Sequence, residues 1–127
     1  FAVFDGNLTD FEQLAADPGP ETFERLWNLL LEQTVREAAF VEMMLEARES
    51  GTDYDGEERL RAAFSSALAR AREAGRAAGT LDVEAVLLAW RMAFGIVTTA
   101  PSPSEAWSAL ERAFRDAVGG ALRVTRP

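Results

Sequence analysis

The segment from Val83 to Thr99 constrains the fold of this chain more than any other. It has helical periodicity and contains only two charged residues, Glu84 and Arg91. A helix that is apolar nearly all round, in a small chain, has to be covered on more than one side. The chain's own core can cover one side. The simplest cover for the other side is a second copy of the protein.

Two capping signals set the boundaries of this helix and of the helix before it. A segment rich in Ala and Arg, with helical period, ends at Gly75, which can adopt the left-handed conformation that closes a helix. Asp82 can accept a hydrogen bond from a free backbone N–H at the next helix start. The pattern therefore predicts a helix over residues 57–74, a short connector, and a second helix from residue 83.

The first twenty residues predict a short helix followed by a break. Thr9 and Glu12 have the spacing of a capping box, which predicts a helix running to about Ala16. The sequence Asp17-Pro18-Gly19-Pro20 is the clearest break, because proline fixes φ and disfavours helix in the residue before it. Pro20 suits the first position of a new helix.

Helical period also dominates the remaining segments. Residues 21–50 contain no Gly or Pro and have helical period throughout. Ser102, followed by Pro103 and Glu105, predicts the start of a last helix that ends at Gly119-Gly120. The predicted fold is an all-α bundle of about five helices. Its segments are a connector with a short helix (1–19), a helical domain (20–119) and a frayed tail (120–127).

The composition argues against an enzyme. The chain has no Cys and no His, which excludes disulfides, thiolate nucleophiles, the usual zinc sites and imidazole acid–base chemistry. Glu42 and Glu46 lie one helical turn apart, a pattern typical of a solvated acidic face. Ser65 and Ser66 have no base nearby in the pattern. We therefore expect no catalytic residue, no metal and no cofactor.

The charge argues against direct contact with nucleic acid. Residues 1–58 carry a net charge of −12 and residues 59–127 a net charge of +4, which together give the −8 of the whole chain. An acidic surface repels the phosphate backbone. The longest apolar run is interrupted by Arg91 and is too short to span a bilayer. We expect this chain alone to bind neither DNA nor a membrane.

The run from Ala67 to Trp90 resembles the C-terminal ligand-binding and dimerisation domain of TetR-type transcriptional regulators. In that family a helix rich in Ala, Arg and Leu ends at a glycine, here Gly75. A connector and an Asp-x-Glu opening follow, here Asp82-Val83-Glu84, and Gly95 matches a glycine further along the next helix. The resemblance covers roughly residues 20–118 in helix order and spacing. Because related domains split the region of residues 21–50 into two helices, the resemblance also implies a bend near residues 34–38.

This resemblance implies a TetR C-terminal-domain-like fold that dimerises through its last two long helices, in a cytoplasmic regulator. It also implies that DNA is contacted only through an N-terminal helix-turn-helix, which is absent from this chain. The chain begins with Phe1 and not with methionine, so we expect a further segment upstream.

Large apolar side chains from successive helices are candidates for an effector cavity, the position that the resemblance implies. Methionine among them suits a pocket that accepts varied apolar ligands, and a ligand can partner a polar group embedded in an apolar helix. The acidic first half favours cationic lipophilic effectors. The alternative is a filled core, in which neighbouring backbone or water partners these polar groups. The predicted ligand-binding residues are Trp27, Asn28, Leu31, Thr34, Phe40, Met44, Phe64, Leu68, Trp90 and Phe94.

Surplus apolar faces on the last two helices predict a homodimer. Two adjacent helices of this kind pair well across a two-fold axis as a four-helix contact. The predicted interface residues are Leu88, Met92, Ile96, Trp107, Leu110, Phe114 and Val118. The function predicted is effector sensing and dimerisation for a transcriptional regulator. The alternative is a structural helical dimer or interaction module without a ligand.

Overall fold

The computed structural model of the chain describes residues 2–37, 56–77, 79–115 and 122–126. This part of the chain contains five α-helices and no strand. The helices are α1 (Ala2–Ala15), α2 (Thr22–Arg36), α3 (Gly56–Glu73), α4 (Val83–Thr99) and α5 (Pro103–Ala113). The predicted all-α class, with about five helices, is confirmed for these residues.

The end of α3 is closed by the predicted glycine. Gly75 has a φ of 72°, in the left-handed region that favours glycine. Its N–H donates to the carbonyl of Arg72 at 3.0 Å, and the N–H of Arg76 donates to the carbonyl of Ala71 at 2.8 Å. This pair of bonds is the Schellman arrangement, which satisfies carbonyls at the helix end.

The starts of α4 and α5 are capped as the sequence predicts. The Asp82 carboxylate accepts a hydrogen bond from the Ala85 N–H at 2.9 Å. The Ser102 hydroxyl oxygen accepts one from the Glu105 N–H at 3.2 Å, and Pro103 is the first residue of α5. Both caps satisfy a donor that the helix leaves free, and they fix where the α4–α5 hairpin begins.

The helix α1 is longer than predicted. It begins at Ala2, so Thr9 lies in its middle, where its side chain is exposed, and does not cap its start. Leu8, Phe11 and Ala15 recur at helical intervals and are buried. Their packing against α2 and α3 stabilises the helix, a contribution that local capping signals do not report.

The helix α2 lies at the centre of the bundle and contacts each of the other four helices. It begins at Thr22, two residues after the predicted Pro20. Phe23, Leu26, Trp27, Leu30 and Leu31 of this helix are fully buried. It ends at Arg36, within the region where a bend was predicted; the helix expected after the bend lies outside the described residues.

The last helix and the segment after it differ from the prediction. The helix α5 ends at Ala113, well before Gly119-Gly120. The prediction of a frayed tail is wrong for residues 122–126, because Leu122 is completely buried and its backbone is hydrogen-bonded to α2. Trp107, Leu110 and Phe114 keep helical spacing past the end of α5 at Ala113. The periodicity alone therefore could not predict where the helix ends.

Candidate functional site

Most of the predicted ligand-binding residues lie in one continuous core. Helices α2, α3 and α4 bring them together. Asn28 and Phe94 are half-buried, and the other predicted residues on these three helices are buried. Phe40 and Met44 lie outside the described residues. The members that share the core are Trp27, Leu31, Thr34, Phe64, Leu68, Trp90 and Phe94.

A hydrogen-bonded chain runs through this core. The indole N–H of Trp90 donates to the Thr34 hydroxyl oxygen at 3.0 Å. The same hydroxyl donates to the carbonyl of Leu30 at 2.7 Å. Thr34 is fully buried and Trp90 is 3% exposed, so both polar groups need partners, and each finds one inside the chain. In this arrangement Thr34 links α2 to α4.

Trp27 and Asn28 contact the chain's own segment 122–126. The Trp27 indole N–H donates to the carbonyl of Leu122 at 3.1 Å, and the Trp27 ring packs edge-on against Phe114 with 5.5 Å between centroids. The Asn28 side chain bonds to the backbone of residues 123 and 125. The sequence analysis placed Asn28 among the ligand-binding residues and kept backbone as the alternative partner of its amide; the observed partners are backbone groups of Arg123 and Thr125.

Two open grooves lie beside this segment and were not predicted. The larger, of about 560 Å³, runs between α1, α2 and the segment. The smaller, of about 420 Å³, runs between the end of α5 and the segment. Of the predicted ligand-binding residues only Asn28 lines either groove. The larger is lined by Leu14, Glu21, Glu24, Arg25, Asn28, Leu29, Glu32, Thr125 and Arg126. The smaller is lined by Glu111, Phe114, Arg115, Arg123, Val124 and Thr125.

The predicted dimer surface divides into two groups. Leu88 is 57% exposed and Met92 is 59% exposed, and they lie one turn apart on α4. Ile96, one further turn along, is half-buried and packs partly against the core. These residues follow the outer face that the sequence assigned to this helix.

The interface residues predicted on the last helix require a correction. Trp107 is 8% exposed, Leu110 is fully buried and Phe114 is 2% exposed, so none of them faces outward in the single chain. They pack into the core of their own subunit, where Phe114 meets Trp27. Val118 lies outside the described residues. The exposed apolar surface on this hairpin therefore belongs to α4.

Charged groups in the described part of the chain form ion pairs at its surface. Arg59 donates hydrogen bonds to the Glu12 carboxylate, and this contact lowers the pKa of Glu12 below its ordinary value of 4.5. Arg61 pairs with Glu57 on its own helix and with Glu84 on α4. Among the described residues, no group of three or more His, Cys, Asp or Glu could hold a metal ion. No helix in this part of the chain combines the length and apolar character needed to cross a bilayer.

Comparison with known proteins yields no relative. No protein-family model matches the chain, no curated protein matches its sequence, and no solved structure matches its fold. The class that the structure defines is an all-α helical bundle with an exposed apolar face on α4.

Proposed function

We propose that this chain is the effector-binding and dimerisation domain of a TetR-type transcriptional regulator, and that it senses a small, largely apolar molecule. The observation that supports this proposal best is the exposed pair Leu88 and Met92 on α4. The helix that carries them follows a glycine-closed helix and begins at an aspartate cap, which is the order that the resemblance rests on. In the intact regulator, DNA would be contacted by a separate domain.

Burial of Leu88 and Met92 alone contributes too little free energy to hold a dimer, so residues around them have to contribute as well. Burying the exposed part of Leu88 or Met92 stabilises by about 1–1.5 kcal/mol, since complete burial of such a side chain contributes about 1.5–3 kcal/mol. Four such side chains across a two-fold axis contribute about 4–6 kcal/mol. This is near the lower end of the association cost of about 4–15 kcal/mol. The pair is therefore the centre of the proposed interface, and flanking residues supply the rest.

Sedimentation velocity tests the dimer. The wild-type chain should sediment as a dimer at micromolar concentration, and Met92→Glu should sediment as a monomer because it places two buried carboxylates near the two-fold axis. Ala69→Glu is the matched control, since Ala69 is exposed on α3 and the added charge is the same. A wild-type monomer, or a Met92→Glu dimer, would contradict the proposal.

A ligand screen tests the sensing part of the proposal. Thermal unfolding is followed with apolar and cationic lipophilic compounds, because a ligand that binds only the folded state raises the melting temperature. Regulation also requires that the ligand bind one arrangement of the bundle more tightly than the other. A confirmed ligand should therefore also alter hydrogen exchange in α4, and a ligand that stabilises the chain without altering α4 would not act as an effector.

The second candidate function is a structural helical dimer without a ligand. The specific observation in its favour is that Thr34, Trp90 and Trp27 find their hydrogen-bond partners within the chain. A ligand would then have to be recognised through apolar contacts, or would have to displace one of these bonds. A dimer that gains no stability from any compound in the screen would favour this second function.

A further inference from the structure

The segment 122–126 lies on α2 in the manner of a bound peptide. The side chain of Leu122 is completely buried in the core. Its carbonyl accepts a hydrogen bond from the Trp27 indole N–H at 3.1 Å, across a separation of 95 residues in the sequence. Arg123 and Thr125 are exposed, and Val124 is half-buried against the core. One aliphatic side chain therefore anchors a stretch whose next residues lie mostly at the surface.

Asn28 recognises the backbone of this segment as a neighbouring β-strand would. Its amide nitrogen donates to the carbonyl of Arg123 at 3.1 Å, and its amide oxygen accepts from the N–H of Thr125 at 2.7 Å. A carbonyl and an N–H two residues apart on one side of the chain are what an extended segment presents. The amide nitrogen also donates to the carbonyl of Glu24 on its own helix, which fixes the side-chain orientation.

A basic residue fixes the far end of the segment. The Arg126 guanidinium donates to the Ser108 hydroxyl oxygen at 3.0 Å and pairs with the Glu111 carboxylate at 2.8 Å. These partners lie on α5, so the segment joins α2 to α5. The hydrogen bonds of Trp27 and Asn28 to the segment involve only backbone atoms of the segment, while Leu122 and Arg126 supply its side-chain contacts. Any extended segment with a large aliphatic residue, and an arginine four positions later, presents the same groups.

We propose that the seat formed by Trp27, Asn28, Ser108 and Glu111 is a binding site for extended peptides, which segment 122–126 fills in cis. The partner that fits it is an extended segment of another protein with a leucine followed four residues later by an arginine. The two grooves on either side leave room for residues of such a partner beyond the anchors. The cis segment competes at the high effective concentration of a tethered ligand, so a partner binds only when the cis contact is weakened.

Fluorescence anisotropy tests the seat with a labelled peptide of the sequence Ala-Leu-Arg-Val-Thr-Arg-Pro, which is that of residues 121–127. The protein is the full chain carrying Leu122→Ala, which removes the cis anchor and leaves the seat intact. This variant should bind the peptide at least about tenfold more tightly than the wild type does, because the tethered competitor is weakened. Adding Asn28→Ala should then reduce the affinity by about 10- to 30-fold, since two hydrogen bonds are lost.

The control peptide carries the Leu122→Asp change and should not bind. A Leu122→Ala protein that is folded by circular dichroism would overturn the proposal if it bound neither peptide, or bound both equally.

Trypsin cleavage of the native chain gives a second measurement, which applies even where Leu122→Ala does not fold. The bond after Arg123 should be cut more slowly in the wild type than in the free peptide, because Asn28 holds the carbonyl of that bond. Asn28→Ala should increase the cleavage rate at this bond by at least about tenfold and leave cleavage after Arg76 unchanged, since Arg76 lies in the exposed turn after α3. Equal rates in the wild type and in the free peptide would overturn the proposal.

Discussion

Replacing Thr34 with valine should destabilise the chain, because it leaves the indole N–H of Trp90 buried without a partner. The two side chains are almost completely buried, and the hydroxyl oxygen is 3.0 Å from the indole nitrogen. Valine has nearly the shape of threonine, so the substitution removes the acceptor without opening a cavity. The carbonyl of Leu30 loses the hydroxyl donor.

The expected loss follows from the burial of the orphaned group. An unsatisfied buried donor costs about 1–3 kcal/mol. The second methyl group of valine offsets part of this loss, since burying an added CH₂-sized group contributes about 0.8 kcal/mol. The free energy of unfolding should therefore fall by about 1–2 kcal/mol. Thr34→Ser keeps the hydroxyl, so its cost comes from the lost methyl group alone.

Urea unfolding followed by circular dichroism measures these values, and a double-mutant cycle isolates the hydrogen bond. Trp90→Phe removes the donor, so Thr34→Val should have little further effect in that background. The coupling energy between the two positions should be about 1–2 kcal/mol. Strict additivity of the two substitutions, or a Thr34→Val chain as stable as the wild type, would refute the reasoning.

Two further predictions concern the backbone and a surface ion pair. Gly75→Ala should cost about 1 kcal/mol of unfolding free energy in urea, because its φ of 72° is unfavourable for a residue with a Cβ. Gly79→Ala is the control and should be neutral, since both sites have open space around the added Cβ and only Gly75 has a positive φ. Arg59 lowers the pKa of Glu12, so the stability that this pair contributes is present above pH 4.5 and is lost as the pH falls through the lowered pKa. Thermal unfolding of Glu12→Gln should show a deficit of about 0.2–0.5 kcal/mol at neutral pH that disappears in acid, and a deficit that persists in acid would contradict the linkage.

Features that depend on local backbone chemistry could be predicted from the sequence. Gly75, Asp82 and Ser102 each act within four residues of their own position, and each has the predicted role. The outward position of Leu88 and Met92 on α4 followed from its periodicity in the same way. Local rules hold there because the hydrogen-bond partner is set by the geometry of a single helical turn.

Features that depend on distant contacts could not be predicted. Trp27 and Asn28 were predicted as ligand-binding residues, and Asn28 drew attention because a polar amide in an apolar helix needs a partner. That partner lies 95 residues away at Leu122 and Arg123, in a segment without helical pattern. Nothing in local propensity links the two, so the segment was interpreted as frayed. The extent of α1 was missed for a related reason, because its contacts with α2 and α3 stabilise it more than its weak capping signals do.

The contrast between α4 and α5 shows which apolar faces can serve an interface. The helix α5 has one apolar stripe, through Trp107 and Leu110, and polar residues opposite it; that single stripe is buried in its own core. The helix α4 has apolar residues on both sides, and Ala93 on one side is buried while Leu88 and Met92 on the other are exposed. A helix with one stripe can bury it within its own subunit, whereas a helix with two has one left over. The proposed interface therefore rests on the second apolar face of α4, and the single apolar stripe of α5 gives no support to it.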